Sequence, residues 1–152
     1  LNDYIDMIEF TGREGLIDYE DPVQYAIRLL IPPSSALLSN LAIQPFLGPL
    51  DQASFFYQWS HPDPGMDRLY QTDRAIVEQG TRAREDPSIT FNHVRTAVYA
   101  ARGDRVPVVN SDTPLLERNR PPRLTEPWFC CAEPTDDQFR TVLQKRAFEN
   151  VT

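Results

Sequence analysis

Cys130 and Cys131 stand side by side in Trp128-Phe129-Cys130-Cys131-Ala132-Glu133-Pro134, and they are the only cysteines in the 152-residue chain. Adjacent thiols make a poor structural staple. Their Cα atoms lie about 3.8 Å apart, short of the roughly 4.4–6.8 Å that an ordinary disulfide spans. A bond between them is strained and easily reduced, which suits exchange chemistry. Just downstream, Thr135-Asp136-Asp137-Gln138 forms a capping-box pattern, and Phe139, Val142, Leu143 and Phe148 supply the apolar stripe of a final helix. The amides and dipole at such a helix start favour a thiolate. Glu133, Asp136 and Asp137 oppose it, and they can cancel a dipole contribution of roughly 0.3–1 kcal/mol. The opposite reading makes both cysteines small hydrophobes among Trp128, Phe129 and Ala132.

Three further places could carry chemistry. His61 and Asp63 lie between a strand pattern and a helix pattern, where active-site side chains often sit; Asp63 also reads as a helix cap and His61 as a turn residue. His93 has Thr96 and Ala97 at i+3 and i+4, so it lacks metal-site spacing and reads as structural. A zinc site built from both cysteines and both histidines is disfavoured by the pinched geometry of adjacent ligands. Arg28 is a cation in an apolar run and needs a polar partner if buried. With Gln24 on the same side of a strand, it could line a cavity for an anionic or hydrogen-bonding ligand; an exposed edge strand is the alternative.

The elements that must hold these residues can be read from periodicity. A helix is expected over about 3–14, capped by Asn2 or Asp3, with Ile5 and Ile8 inward and Gly12 and Gly15 ending it. Val23 to Ile31 reads as a buried strand with Val23, Tyr25, Ile27, Leu29 and Ile31 on one face. Ser34 or Ser35 caps a short helix to Leu41, and Pro45, Gly48 and Pro49 make a connector. Ser54 to Trp59 reads as a second strand. Asp63-Pro64 opens a helix over about 64–84, with Met66, Leu69, Tyr70, Ile76 and Val77 at helical spacing. Asp86-Pro87 opens another, with Phe91, Val94, Val98 and Ala101 as its stripe before Gly103; the two helices should pair as a hairpin. The stretch 104–127 carries five prolines, Pro107, Pro114, Pro121, Pro122 and Pro127, and reads as an extended arm.

The expected fold is therefore α+β and mainly helical. A hydrophobic content of 41% suffices for a core. A formal charge of -7, with Lys145 the sole lysine, disfavours nonspecific nucleic-acid binding. No apolar run reaches the roughly 20 residues of a membrane span, so a soluble, cytoplasmic protein is expected. The opening at Leu1, directly in a helical pattern, suggests a piece of a longer polypeptide.

Cys130-Cys131-Ala132-Glu133-Pro134 resembles the tail motif of the CUAEP/CCAEP-tail radical SAM (seleno)proteins, which bind cobalamin. The run from Asp21 to Pro33 is similar to the last barrel strand of these proteins, and His61-Pro62-Asp63-Pro64 with Met66-Asp67 resembles their downstream segment. The resemblance implies a C-terminal fragment: residues 1–50 as the terminal helix and strand of a radical SAM partial barrel with a connector, and 51–152 as a mainly helical C-terminal domain. It also implies upstream cobalamin-binding and radical SAM domains as partners in the same chain. Those domains would hold S-adenosylmethionine, a [4Fe-4S] cluster and cobalamin. The fragment itself would bind none of these, since two cysteines cannot complete a Cys-x₃-Cys-x₂-Cys loop. Some members carry selenocysteine at the position of Cys131. Cys131 is then the catalytic candidate with Cys130 as its resolving partner, and Arg28 and Gln24 lie near cofactor or substrate. A noncatalytic lid or docking module is the alternative function. An excised barrel strand also implies that the fragment self-associates or refolds locally over its first 30 residues.

Overall fold

The computed structural model describes residues 1–26 and 28–107. They form three helices and a two-stranded antiparallel sheet: α1 (Asn2–Arg13), β1 (Leu47–Asp51), β2 (Phe56–Trp59), α2 (Pro64–Ala83) and α3 (Pro87–Arg102). The α+β, mainly helical class and the three helices match expectation. Among the described residues no helix is long and apolar enough to cross a membrane.

In α1, Ile5, Ile8 and Thr11 are buried at the i, i+3 spacing of one helix face. No side chain caps it, contrary to the role expected of Asn2 or Asp3; Leu1 takes the cap position and its carbonyl accepts from the Ile5 amide at 3.0 Å. Asp3 instead sits in the first turn, where a negative charge complements the helix dipole. Gly12 lies within the helix against Phe91, and it is Gly15, at φ 67°, that turns the chain away.

The expected strand from Val23 does not form. Pro22–Ala26 is a 3₁₀ helix, because Asp21 closes it as a cap: its carboxylate accepts from the Val23 amide at 3.1 Å and its carbonyl from the Gln24 amide at 2.8 Å. Asp21-Pro22 thus works as Asp63-Pro64 and Asp86-Pro87 do, the aspartate capping and the proline holding a helical φ at N1. Tyr25 and Ile31 are buried, but Leu29 is 48% exposed, so the proposed single apolar face is absent. Residues 28–31 run beside β2 without a ladder; the Ile31 carbonyl accepts from the Tyr57 amide at 2.8 Å.

The partner of β2 is β1, a stretch read as an irregular connector. Leu47 pairs with Trp59 and Leu50 with Tyr57, so one extra residue is accommodated at Gly48-Pro49. Proline has no amide for a ladder and is tolerated at such a bulge; Pro49 is exposed. A Cβ on Gly48 would lie 3.2 Å from the Gln58 carbonyl oxygen. The hairpin turn is closed by Asp51, whose Oδ1 accepts from the Ala53 amide at 2.9 Å.

α2 and α3 are joined by residues 84–86, with Arg84 in the left-handed region at φ 52°, and they pack side by side. The core joins Ile5 and Ile8 of α1, Tyr25, Leu69 and Val77 of α2, and Phe91, Val94, Val98 and Tyr99 of α3. This one core draws on both sides of position 50. Asp86 Oδ1 caps α3, accepting from the Ser88 amide at 2.9 Å and the Ser88 hydroxyl at 2.7 Å. Asp86→Ala is expected to lower stability by about 1 kcal/mol in urea unfolding, and Asp86→Ser to restore most of it.

Candidate functional site

Arg28 is the sequence-predicted residue that the fold surrounds most fully. Its side chain is 17% exposed and its Nη2 donates to the Trp59 carbonyl and lies 3.2 Å from Asp67 Oδ1. The guanidinium carbon is 4.5 Å from the Trp59 ring centroid and 5.2 Å from that of Tyr70, distances at which the ring quadrupoles attract a cation. Trp59 is itself fixed, its indole N–H donating to the Leu29 carbonyl at 2.8 Å. Asp67 uses its other oxygen to accept from the His61 amide at 2.9 Å. One cation therefore fastens the extended 28–31 segment, the end of β2 and the first turn of α2.

Arg28 also lines a cleft of about 310 Å³ with Tyr57, Trp59, Gln71 and Arg74 among its walls. Asp67 balances Arg28, Glu78 balances Arg74 at 2.9 Å, and Asp51 adds a carboxylate that the Ala53 amide, then Ser54, hold below the usual range. The cleft thus carries no excess positive charge to draw an anion. What it offers is a fixed planar donor: among the described residues only Nη2 of Arg28 finds acceptors, leaving Nε and Nη1 for a bound group.

Gln24, expected beside Arg28, is exposed on the 3₁₀ helix and does not line this cleft; without the strand there is no shared face. Asp63 caps α2, its Oδ1 accepting from the Gly65 amide at 2.8 Å. His61 Nδ1 accepts from the Asp63 amide at 2.9 Å, which engages that nitrogen in the turn. His93 is 57% exposed and 3.7 Å from Glu85. No group of three His, Cys, Asp or Glu side chains placed to hold a metal occurs among the described residues. Cys130, Cys131, the expected final helix behind Thr135 and the proline-rich stretch beyond Pro107 lie outside the described residues.

Among the described residues Asp73 and Arg95 are two of the three buried charged residues, Asp18 being the other, and the sequence reading singles out none of them. Asp73 is 1% exposed, with Oδ2 3.1 Å from the Tyr4 hydroxyl and Oδ1 without a hydrogen-bond partner among the described residues. Burial pushes its carboxyl up to about 7, and burial followed by the Asp73 charge pushes the Tyr4 phenol up. Arg95 is 6% exposed and grips Glu9 through Nε at 2.6 Å and Nη2 at 3.1 Å. The signal was present: Asp73 falls one turn from both Leu69 and Val77, and Arg95 falls between Phe91 and Val98, so each interrupts an apolar stripe.

Comparison with known proteins gives no matching family model, no matching curated protein and no matching solved structure.

Proposed function

We propose that the chain is the C-terminal domain of a cobalamin-dependent radical SAM enzyme, contributing Cys131 as a redox-active or nucleophilic thiol and Cys130 as its resolving partner. The observation that carries this reading is the run Cys130-Cys131-Ala132-Glu133-Pro134 behind two aromatic residues. A vicinal pair is strained when oxidised and so returns readily to the dithiol. The [4Fe-4S] cluster of such enzymes needs more thiolates than the two this chain possesses, so its residues do not fit that group. The upstream domains of the same polypeptide hold the cluster, S-adenosylmethionine and cobalamin in this reading, and residues 1–50 adjoin the end of their barrel. Arg28 is the ligand-facing candidate, with donors open to a hydrogen-bond acceptor in the cleft.

Cys131→Ser in the full-length protein is expected to abolish product turnover while leaving the fold intact. Full turnover in that variant sinks the proposal. On the isolated chain, the pH dependence of iodoacetamide alkylation measures the two thiols directly; both reacting only as ordinary thiols removes the nucleophile role.

A second reading, a noncatalytic docking module, draws support from Leu41 and Phe55, which are 85% and 65% exposed on the loops flanking β1. Under that reading Phe55→Ser lowers turnover and Cys131→Ser does not.

A further inference from the structure

Three elements meet at one phenol oxygen. Tyr4 of α1 donates its hydroxyl to the carbonyl of Tyr25 in the Pro22–Ala26 turn, and the same oxygen lies 3.1 Å from Asp73 Oδ2 on α2. A phenol has one proton to give. With Asp73 ionised, two acceptors compete for that single proton, and when Tyr25 takes it the buried carboxylate loses this donor. With Asp73 protonated, its O–H donates to the Tyr4 oxygen and Tyr4 still donates to Tyr25, so the chain of bonds is complete. Burial sharpens the choice, since Asp73 is 1% exposed and Oδ1 finds no donor among the described residues.

We propose that Asp73 is a proton-operated latch: protonated, it fastens α1 and the Pro22–Ala26 turn onto α2, and ionised, it opens that contact to water. Among the described residues the group that faces it is the Tyr4 hydroxyl of α1, which also reaches the Tyr25 carbonyl of the turn, with Leu69 and Val77 one turn away on α2; the buried cation of α3, Arg95, is committed to Glu9. Burial is the larger influence on Asp73, moving it from 3.8 to about 7, and the Tyr4 hydrogen bond opposes it. In the open form the carboxyl is hydrated and returns to its ordinary value. The closed form therefore loses ground as pH rises from about 4 to about 7, and the balance stays level above that. Fastening is complete in acid and weakest from neutrality upward.

Native-state hydrogen exchange on the 152-residue chain, corrected for intrinsic rates, tests this together with a carbon-13 NMR titration of the Asp73 carboxyl. The opening equilibrium for α1 amides should rise about tenfold per pH unit across the window and then flatten, and these amides should exchange through a smaller opening than those of α3. Asp73→Asn should remove the slope. A slope that survives this substitution overturns the latch. A carboxyl that titrates below about pH 5 also overturns it.

Discussion

Glu9→Ala lowers the unfolding free energy by about 3–5 kcal/mol, although Glu9 sits at the edge of the core with a side chain 30% exposed. The loss arises at its partner. Arg95 is 7% exposed at the side chain and is held by both Glu9 oxygens, by the Pro107 carbonyl through Nη1 at 3.0 Å, and over the Tyr99 ring at 5.6 Å. Without the carboxylate a buried guanidinium keeps only a neutral carbonyl and a ring face. Arg95→Met leaves the opposite orphan, a carboxylate that water can reach, and should cost about half as much or less. Replacing both, as Glu9→Leu with Arg95→Met, should recover most of the loss. Urea unfolding at neutral pH measures all three. A larger loss from Arg95→Met than from Glu9→Ala reverses the assignment of which partner is the buried one. The Arg95 hydrogen bond, and after it that from Tyr99, hold Glu9 below its ordinary 4.5. The contribution is thus present above that value and disappears as pH falls through the lowered one.

That ion pair marks where the sequence could and could not be read. Helices α2 and α3 were legible because Asp63-Pro64 and Asp86-Pro87 carry their own start signals and the apolar spacing behind them is regular. Asp21-Pro22 carries the same signal, but the β-branched and apolar run after it has the composition of a strand, and the chain follows the dipeptide into a 3₁₀ helix. β1 was hidden by Gly48-Pro49, residues that usually break a strand and here make its bulge. The surroundings of Arg28 were out of reach for another reason: Trp59, Asp67 and Tyr70 are brought to it by chain reversals that no local spacing encodes. The need of Arg28 for a partner was readable, and the identity of that partner was not. Asp73 and Arg95 sat within stripes whose apolar members were already recognised, and a charge at such a position is the sequence sign of a buried pair or a buried acid.

Gly80→Ala should destabilise the protein by about 1–3 kcal/mol, against the roughly 1 kcal/mol of stabilisation that the same change gives in an open helix. A Cβ at this position would lie 2.4 Å from Thr90 Oγ1 and 3.2 Å from Glu85 Oε2. Thr90 is 2% exposed and its hydroxyl donates to that same Glu85 oxygen at 3.0 Å. It is β-branched on a helix, so its χ1 has little freedom to swing away, and α3 must shift outward or the hydrogen bond must break. The strain therefore belongs to a pair of residues, which a double-mutant cycle isolates. Thr90→Ala alone should cost about 1 kcal/mol for the lost bond, and in its background Gly80→Ala should change sign and stabilise through helix propensity. Denaturant midpoints of the four proteins measure the cycle; a Gly80→Ala effect independent of residue 90 removes the close approach of α2 and α3 as its cause. Glycine here owes its place to what stands opposite it, since the helix continues through position 80 without a left-handed φ.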